Sequence, residues 1–346
     1  MSRKTRYTSR LTALGALTAL GTLAAALVSR GLLAQSDASI GDVDANESLR
    51  AAAAALPAGL TPHFQAWLSA NGYDSSDFVR ADVPGGSYGG RTSDADTPVN
   101  QPVIFVHGNS DSALGTGSAA FTGWSKVIPE FLSRGYRTSE VYATTWGPAN
   151  PLLASQQYHS RAHLTRLRAF VEAVLAYTGA SKVDIVSHSM GVTLMRKVVK
   201  GGPASDLADG GSYNLGPSLT SRVDAFVGIS GANWGLVSCY QTGPTTPTCG
   251  ATNGEYPGYW YGPTGLSSIL SDLNATSRYE GAFRFTIWST LDEVIGTGDV
   301  VWGRYTSQIP SQSGEKRFGA VPYGHIGCKD LTAAAQFQMV TAHAGF

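Results

Sequence analysis

The stretch Lys182–Lys200 constrains this chain more than any other. It reads VDIVSHSMGV followed by a helical run, which predicts a short buried strand, a turn with no room in it, and a helix. That is the setting of a nucleophile elbow, in which a hydroxyl is held on a strained turn at a helix N-terminus, where partial positive charge collects. Ser189 is the residue at the apex. Gly191 lets the helix pass close to the strand, whereas Ser187 stands where the G-x-S-x-G pattern has its first glycine. A second fixed point is PVIFVHGNSDSA, residues 102–113. Its unbroken apolar run predicts a central strand buried on both faces, and the His107-Gly108-Asn109 turn after it stands where the second backbone N–H of an oxyanion site is supplied. An ordinary strand-to-helix turn would read the same way.

Helical stripes at Trp124–Leu132 and Leu164–Leu175, the second after Ser160 as N-cap, alternate with strands at Ser139–Thr144, Val183–Val186, Val223–Ile229 and Arg284–Ser289. This rhythm predicts βαβ units and a mainly parallel, doubly wound sheet whose reactive edge lies at the strand C-termini. At 346 residues one catalytic domain with decorations is expected, over residues 101–346. Residues 35–100 form a flexible leader and a short N-terminal helical segment, with helices over Leu49–Leu56 and Thr61–Ala70. Gly85–Gly90 reads as a loop and Gly201–Pro217 as an aperiodic excursion. The last strand is placed at Arg317–Pro322 and the closing helix at Leu331–His343.

Export is the expected destination. Arg3, Lys4, Arg6 and Arg10 precede an apolar run from Leu11 to Val28, with small residues at Ala34 and Ala38, the layout of a signal peptide over residues 1–34. Its removal would take five basic residues from a chain with 25 basic and 25 acidic ones, leaving 20 − 25 = −5. A mildly acidic protein without a basic run has no electrostatic footprint for nucleic acid. Cys239 and Cys249 bracket a loop whose closure suits an extracellular or periplasmic compartment, and Cys328 is left over as a buried small hydrophobe. No histidine lies at ligand spacing from the cysteine pair, so the expectation is no metal.

A serine hydroxyl needs an imidazole to take its proton and a carboxylate to fix that imidazole's tautomer. In this kind of fold they follow in the order Ser, Asp or Glu, His. After Ser189 only His325 and His343 remain, and His343 sits almost at the chain end, so His325 is the expected base. Asp292, just past a strand, is the expected acid, with Asp299 and then Glu293 as alternatives; Asp224 opens a strand and lies at its wrong end. The long insert from Ser230 to about Glu280 reads as a wall or partial lid. Trp234, Tyr240, Tyr259, Trp260 and Tyr261, with Tyr256 beside them, form either an apolar rim for substrate or a stapled decoration that packs on itself.

Taken together, PVIFVHGNSDSA, VDIVSHSMGV, SCYQTGPTTPTCG, LDEVIG and YGHIG resemble the class 2 (Bacillus-type) lipases and, more closely, the secreted polyhydroxybutyrate depolymerase that shares their fold. The resemblance runs from about Pro102 to the end with its blocks in order. It implies an α/β-hydrolase fold with Ser189 as nucleophile, Asp292 as acid, His325 as base, and the backbone N–H groups of Asn109 and Met190 as the oxyanion hole. It implies a hydrophobic ester substrate, lipid or polyester, no cofactor and no stable protein partner. A non-catalytic binding protein on the same fold is the reading from another class, and peptidase activity a third.

Overall fold

The computed structural model describes residues 56–259 and 265–345. The expected signal, leader and first helix, and Trp260 and Tyr261 of the insert, lie outside the described residues. In chain order the strands are β1 (Gly59–Leu60), β2 (Ser87–Gly89), β3 (Val103–Val106), β4 (Val141–Thr144), β5 (Val183–His188), β6 (Pro203–Asp206), β7 (Gly211–Asn214), β8 (Val223–Ile229), β9 (Phe283–Ser289), β10 (Val300–Val301), β11 (Arg304–Tyr305) and β12 (Gly314–Phe318).

Eight of them form one sheet in the order β1-β2-β4-β3-β5-β8-β9-β12, and β2–β4 is its one antiparallel pairing. This is the α/β-hydrolase fold. Alternation along β3 explains why the run is apolar throughout: Ile104 and Val106 enter one core and Val103 and Phe105 the other. On the first face the helices Arg161–Thr178 and Met190–Lys200 bring Leu167, Phe170, Leu194 and Val198. On the second, Trp124, Phe131 and Met339 cover the sheet. Each such side chain contributes about 1.5–3 kcal/mol by leaving water.

Several local expectations shift. Residues 85–90 are not only a loop, since β2 runs through them and pairs with β1 and β4. Glycine is needed there because a Cβ on Gly89 would stand 2.1 Å from the Val141 carbonyl oxygen. The excursion after Lys200 holds an antiparallel hairpin, β6–β7, turned by Gly210 and Gly211, both at φ 73°. The last strand is Gly314–Phe318, not Arg317–Pro322. Its sequence GEKRF is charged because it pairs on one side only, with β9, and such edges are blunted by charge. The closing helix runs over Ala333–Thr341, within the expected Leu331–His343, and a short helix not expected there, His325–Asp330, precedes it. Thr61 caps the helix Pro62–Ala70 through the Phe64 N–H, and Ser160 caps the next long one through His163 N–H.

Candidate active site

At the C-terminal end of β5, Ser189 takes φ 54° and ψ −133°, a conformation that L-residues adopt only under constraint. The constraint is packing: every residue from Val183 to Val199 is buried except Ser189, which is part-exposed. A Cβ on Gly191 would lie 2.4 Å from the His107 carbonyl oxygen, and one on Gly108 would lie 2.8 Å from the Ser189 Cβ. The elbow and the β3 turn therefore touch through two glycines. Ser187 is tolerated at the other flank because its hydroxyl donates to the Val227 carbonyl of β8 at 3.3 Å.

Beyond β3, His107 is fixed from three sides. Its Nδ1–H donates to Gly108 O at 2.7 Å, its Nε2 accepts from the Trp146 backbone N–H at 3.1 Å, and its ring stacks on Trp146 with 5.2 Å between centroids. Burial pushes its pKa down to about 3, so it stays neutral. Asn109, half-exposed, is anchored by its side-chain amide to Ala154 O at 2.9 Å. Met190 is the first residue of the helix, and its N–H has no acceptor within the helix by construction. The two backbone groups expected to face an oxyanion thus flank Ser189 on elements that touch each other.

Asp292 and His325 meet. The Nδ1–H of His325 donates to both carboxylate oxygens of Asp292, at 2.9 and 3.0 Å. Oδ1 of Asp292 also accepts from the Val294 and Ile295 backbone N–H groups at 3.0 and 2.9 Å. Burial alone would raise the carboxyl's pKa; the His325 charge and these hydrogen bonds overcome it and hold it below the usual range. Burial likewise works against imidazolium, yet the charge and hydrogen bond of Asp292, with Glu293, hold His325 above its ordinary value. Glu293 accepts from the His325 backbone N–H at 3.0 Å. It holds the backbone of the residue whose ring Asp292 meets.

Asp299, the other alternative, accepts from the Ser307 hydroxyl at 2.5 Å and the Ser307 N–H at 3.1 Å, and burial raises its pKa to about 7. His343 Nε2 lies 2.9 Å from an Asp224 carboxylate oxygen near the start of β8, at the opposite edge of the sheet from the elbow. Next to Ser189 in the chain stands His188, a residue the sequence did not single out. His188 Nε2–H donates to His325 O at 3.2 Å, and the two rings lie 4.5 Å apart. Burial holds His188 neutral, its pKa well below the ordinary value.

The aromatic candidates are part exposed, part buried. Tyr259 is 61% exposed and Tyr240 39%, whereas Tyr256 is buried beneath Tyr259. Tyr240 meets the edge of Trp302 at 4.6 Å, and Trp234 is part-buried under the guanidinium of Arg304, 4.7 Å from its ring. Leu291 and Val294, on either side of Asp292 in the chain, are 45% and 41% exposed. Cys239 and Cys249 form the disulfide, and Cys328 is a buried free thiol. Among the described residues no group of three or more His, Cys, Asp or Glu side chains is placed to hold a metal ion. A cavity of about 450 Å³ beside Trp146 and His163 is bordered by none of Ser189, Asp292 and His325. Its Arg80 is committed to Asp82 and to the carbonyls of Thr145 and Gly147, so the chemistry and not this cavity locates the site.

The profile of the class 2 lipases matches residues 100–338. The chain belongs to the class 2 lipase family. Among solved structures, Aspergillus fumigatus lipase B is similar with a TM-score of 0.50 and 16% identity, over 75% of this chain and 57% of that one. Bacillus licheniformis lipase BlEst2 in its mature form is similar with a TM-score of 0.45 and 14% identity, over 75% of this chain and 99% of that one. Paleococcus ferrophilus monoacylglycerol lipase is similar at 0.43 and 14%, over 75% and 98%. The chain of this class 2 lipase family member thus spans little more than half the length of the Aspergillus protein. At 16% identity the Aspergillus structure speaks to the fold alone, and the family is shown by the profile.

Proposed function

We propose that the protein is a secreted serine hydrolase of carboxylic esters, acting through an acyl-enzyme. One observation carries this: a part-exposed Ser189 on a strained strand-to-helix turn, next in the chain to His188, whose ring lies 4.5 Å from that of His325 in a buried His325–Asp292 pair with Nδ1–H already engaged. Engagement of Nδ1–H leaves Nε2 as the bare nitrogen, the tautomer a general base needs. Nε2 takes the Ser189 proton as Oγ bonds the ester carbonyl carbon, and the resulting oxyanion lies against the N–H groups of Asn109 and Met190. Collapse breaks the carbon–alkoxide bond, His325 returns the proton to the departing alcohol, and water repeats the sequence to release the acid and restore Ser189. The reading rests on residues of this chain and routes no step through a metal or organic cofactor.

Exposed Leu291 and Val294 on either side of Asp292 in the chain, with Tyr240 and Tyr259 exposed on the insert, favour a hydrophobic ester presented at a surface, lipid or aliphatic polyester, over a small polar one. The disulfide favours the extracellular or periplasmic assignment. Ser189→Ala tests the mechanism: turnover of a nitrophenyl ester falls by about 10⁴- to 10⁶-fold. Retention of more than a tenth of the activity removes Ser189 from this role. Clearing of tributyrin and of amorphous polyhydroxybutyrate emulsions, compared side by side, decides between the two substrate classes.

A further inference from the structure

Glu255 lies in the insert and is 3% exposed, yet no part of the acyl-transfer cycle uses it. Its backbone knots the insert together: its N–H donates to Thr248 O at 2.6 Å and its carbonyl accepts from the Leu236 N–H at 3.0 Å. The residue before it, Gly254, accepts from the Ser267 hydroxyl at 2.7 Å. From this knot the side chain reaches into the first turn of the nucleophile helix. There Thr193 Oγ1, itself buried, stands 3.1 Å from Glu255 Oε1 and 3.0 Å from Met190 O.

The proton count on that chain of three oxygens decides the state of the acid. Thr193 has one hydroxyl proton, and Met190 O only accepts. With an ionised carboxylate, one of the two oxygen–oxygen contacts has no proton between its partners. With a protonated carboxyl, Glu255 donates to Thr193 Oγ1 and Thr193 donates to Met190 O, so both contacts are hydrogen bonds. We propose that protonated Glu255 is a positioning residue, a latch that holds the insert onto the first turn of the nucleophile helix and opens when the proton leaves. It rests on the serine-hydrolase reading above for its effect on turnover, though not for its effect on the fold.

The surroundings agree with the proton count. Burial is the largest influence on Glu255 and raises its pKa to about 7; the Thr193 bond and the charge of His325 pull the other way. His159, packed on the same loop through Asn253 O, is held neutral by burial, its pKa pushed down to about 4. Arg196, one turn further along the helix, is committed to Glu280, Asn233 and Asn274. Loss of the proton places a negative charge behind the elbow and frees the wall of the site from the helix. The consequence falls on substrate binding more than on the chemical step.

The test measures kcat and KM on a soluble nitrophenyl butyrate from pH 5.5 to 9.5 in wild type, E255Q and E255A. In the same buffers, extended down to pH 4, it follows thermal unfolding by circular dichroism. Glutamine donates to Thr193 at every pH and mimics the protonated acid. In wild type KM rises about three- to tenfold through neutral pH with a smaller change in kcat; in E255Q the rise is absent, and in E255A KM is high throughout. The Tm gap between E255Q and wild type widens between pH 4.5 and 7 and is constant above. The sign follows because the folded acid keeps a proton that the unfolded chain has already released, so wild type loses stability across that window. A KM rise in E255Q equal to that of wild type, or a Tm gap independent of pH, overturns the latch. Absence of turnover in all three proteins overturns the hydrolase reading, while the Tm gap still reports on the Glu255 proton.

Discussion

Replacing Asp292 with Asn changes one oxygen into an amide nitrogen and should disable the base by rotating its tautomer. The direction is set by what surrounds the carboxylate. Oδ1 accepts from Val294 N–H and Ile295 N–H, so the asparagine must leave its carbonyl oxygen there to keep both bonds. Its NH₂ then faces His325 Nδ1, which accepted nothing before and now has to be the bare nitrogen. The ring proton moves to Nε2, where it blocks removal of the Ser189 proton. A loss of about 10⁴-fold in kcat is expected, equivalent to about 5.5 kcal/mol. The fold remains, since volume and both backbone bonds are retained. The acid limb of the pH profile moves down as well, because burial then acts on His325 without the carboxylate charge that offsets it. The assay is steady-state hydrolysis of a nitrophenyl ester between pH 4.5 and 8, with circular dichroism as the check on folding. A D292N protein within tenfold of wild type would refute the assignment, and a D299N protein that loses activity in its place would transfer the role to Asp299.

Wild-type kcat should rise with pH and level off around a midpoint above 6.5, since Asp292 and Glu293 hold the His325 proton and only neutral His325 can act as base. A midpoint below 6 contradicts that environment. Arg196→Met should cost about 3–5 kcal/mol in urea unfolding, because Arg196 and Glu280 are both fully buried and the change strands a carboxylate. A cost below 1 kcal/mol would mean that water reaches the pair.

How much was legible in the chain follows the range of the interactions. The elbow, the β3 turn and the order of Ser189, Asp292 and His325 could be read because strained turns, small flanking residues and strand ends are local signals. Thr61 and Ser160 as caps are local too. Residues whose role depends on a distant partner escaped: Glu255 meets Thr193 across 62 positions, and His188 meets the carbonyl of His325 across 137. The polar edge strand β12 escaped for another reason, since one-sided pairing removes the apolar pattern by which buried strands are recognised. The exposed Leu291 and Val294 were hidden by their ordinariness, because only their position beside Asp292 gives them meaning.

Intact-mass and peptide mapping after treatment with a fluorophosphonate addresses the central claim most directly. The account predicts a single covalent adduct, located on Ser189, formed in step with loss of esterase activity and absent from the Ser189→Ala protein. A folded, ester-cleaving protein that takes up no label, or takes it up on another residue, would contradict it.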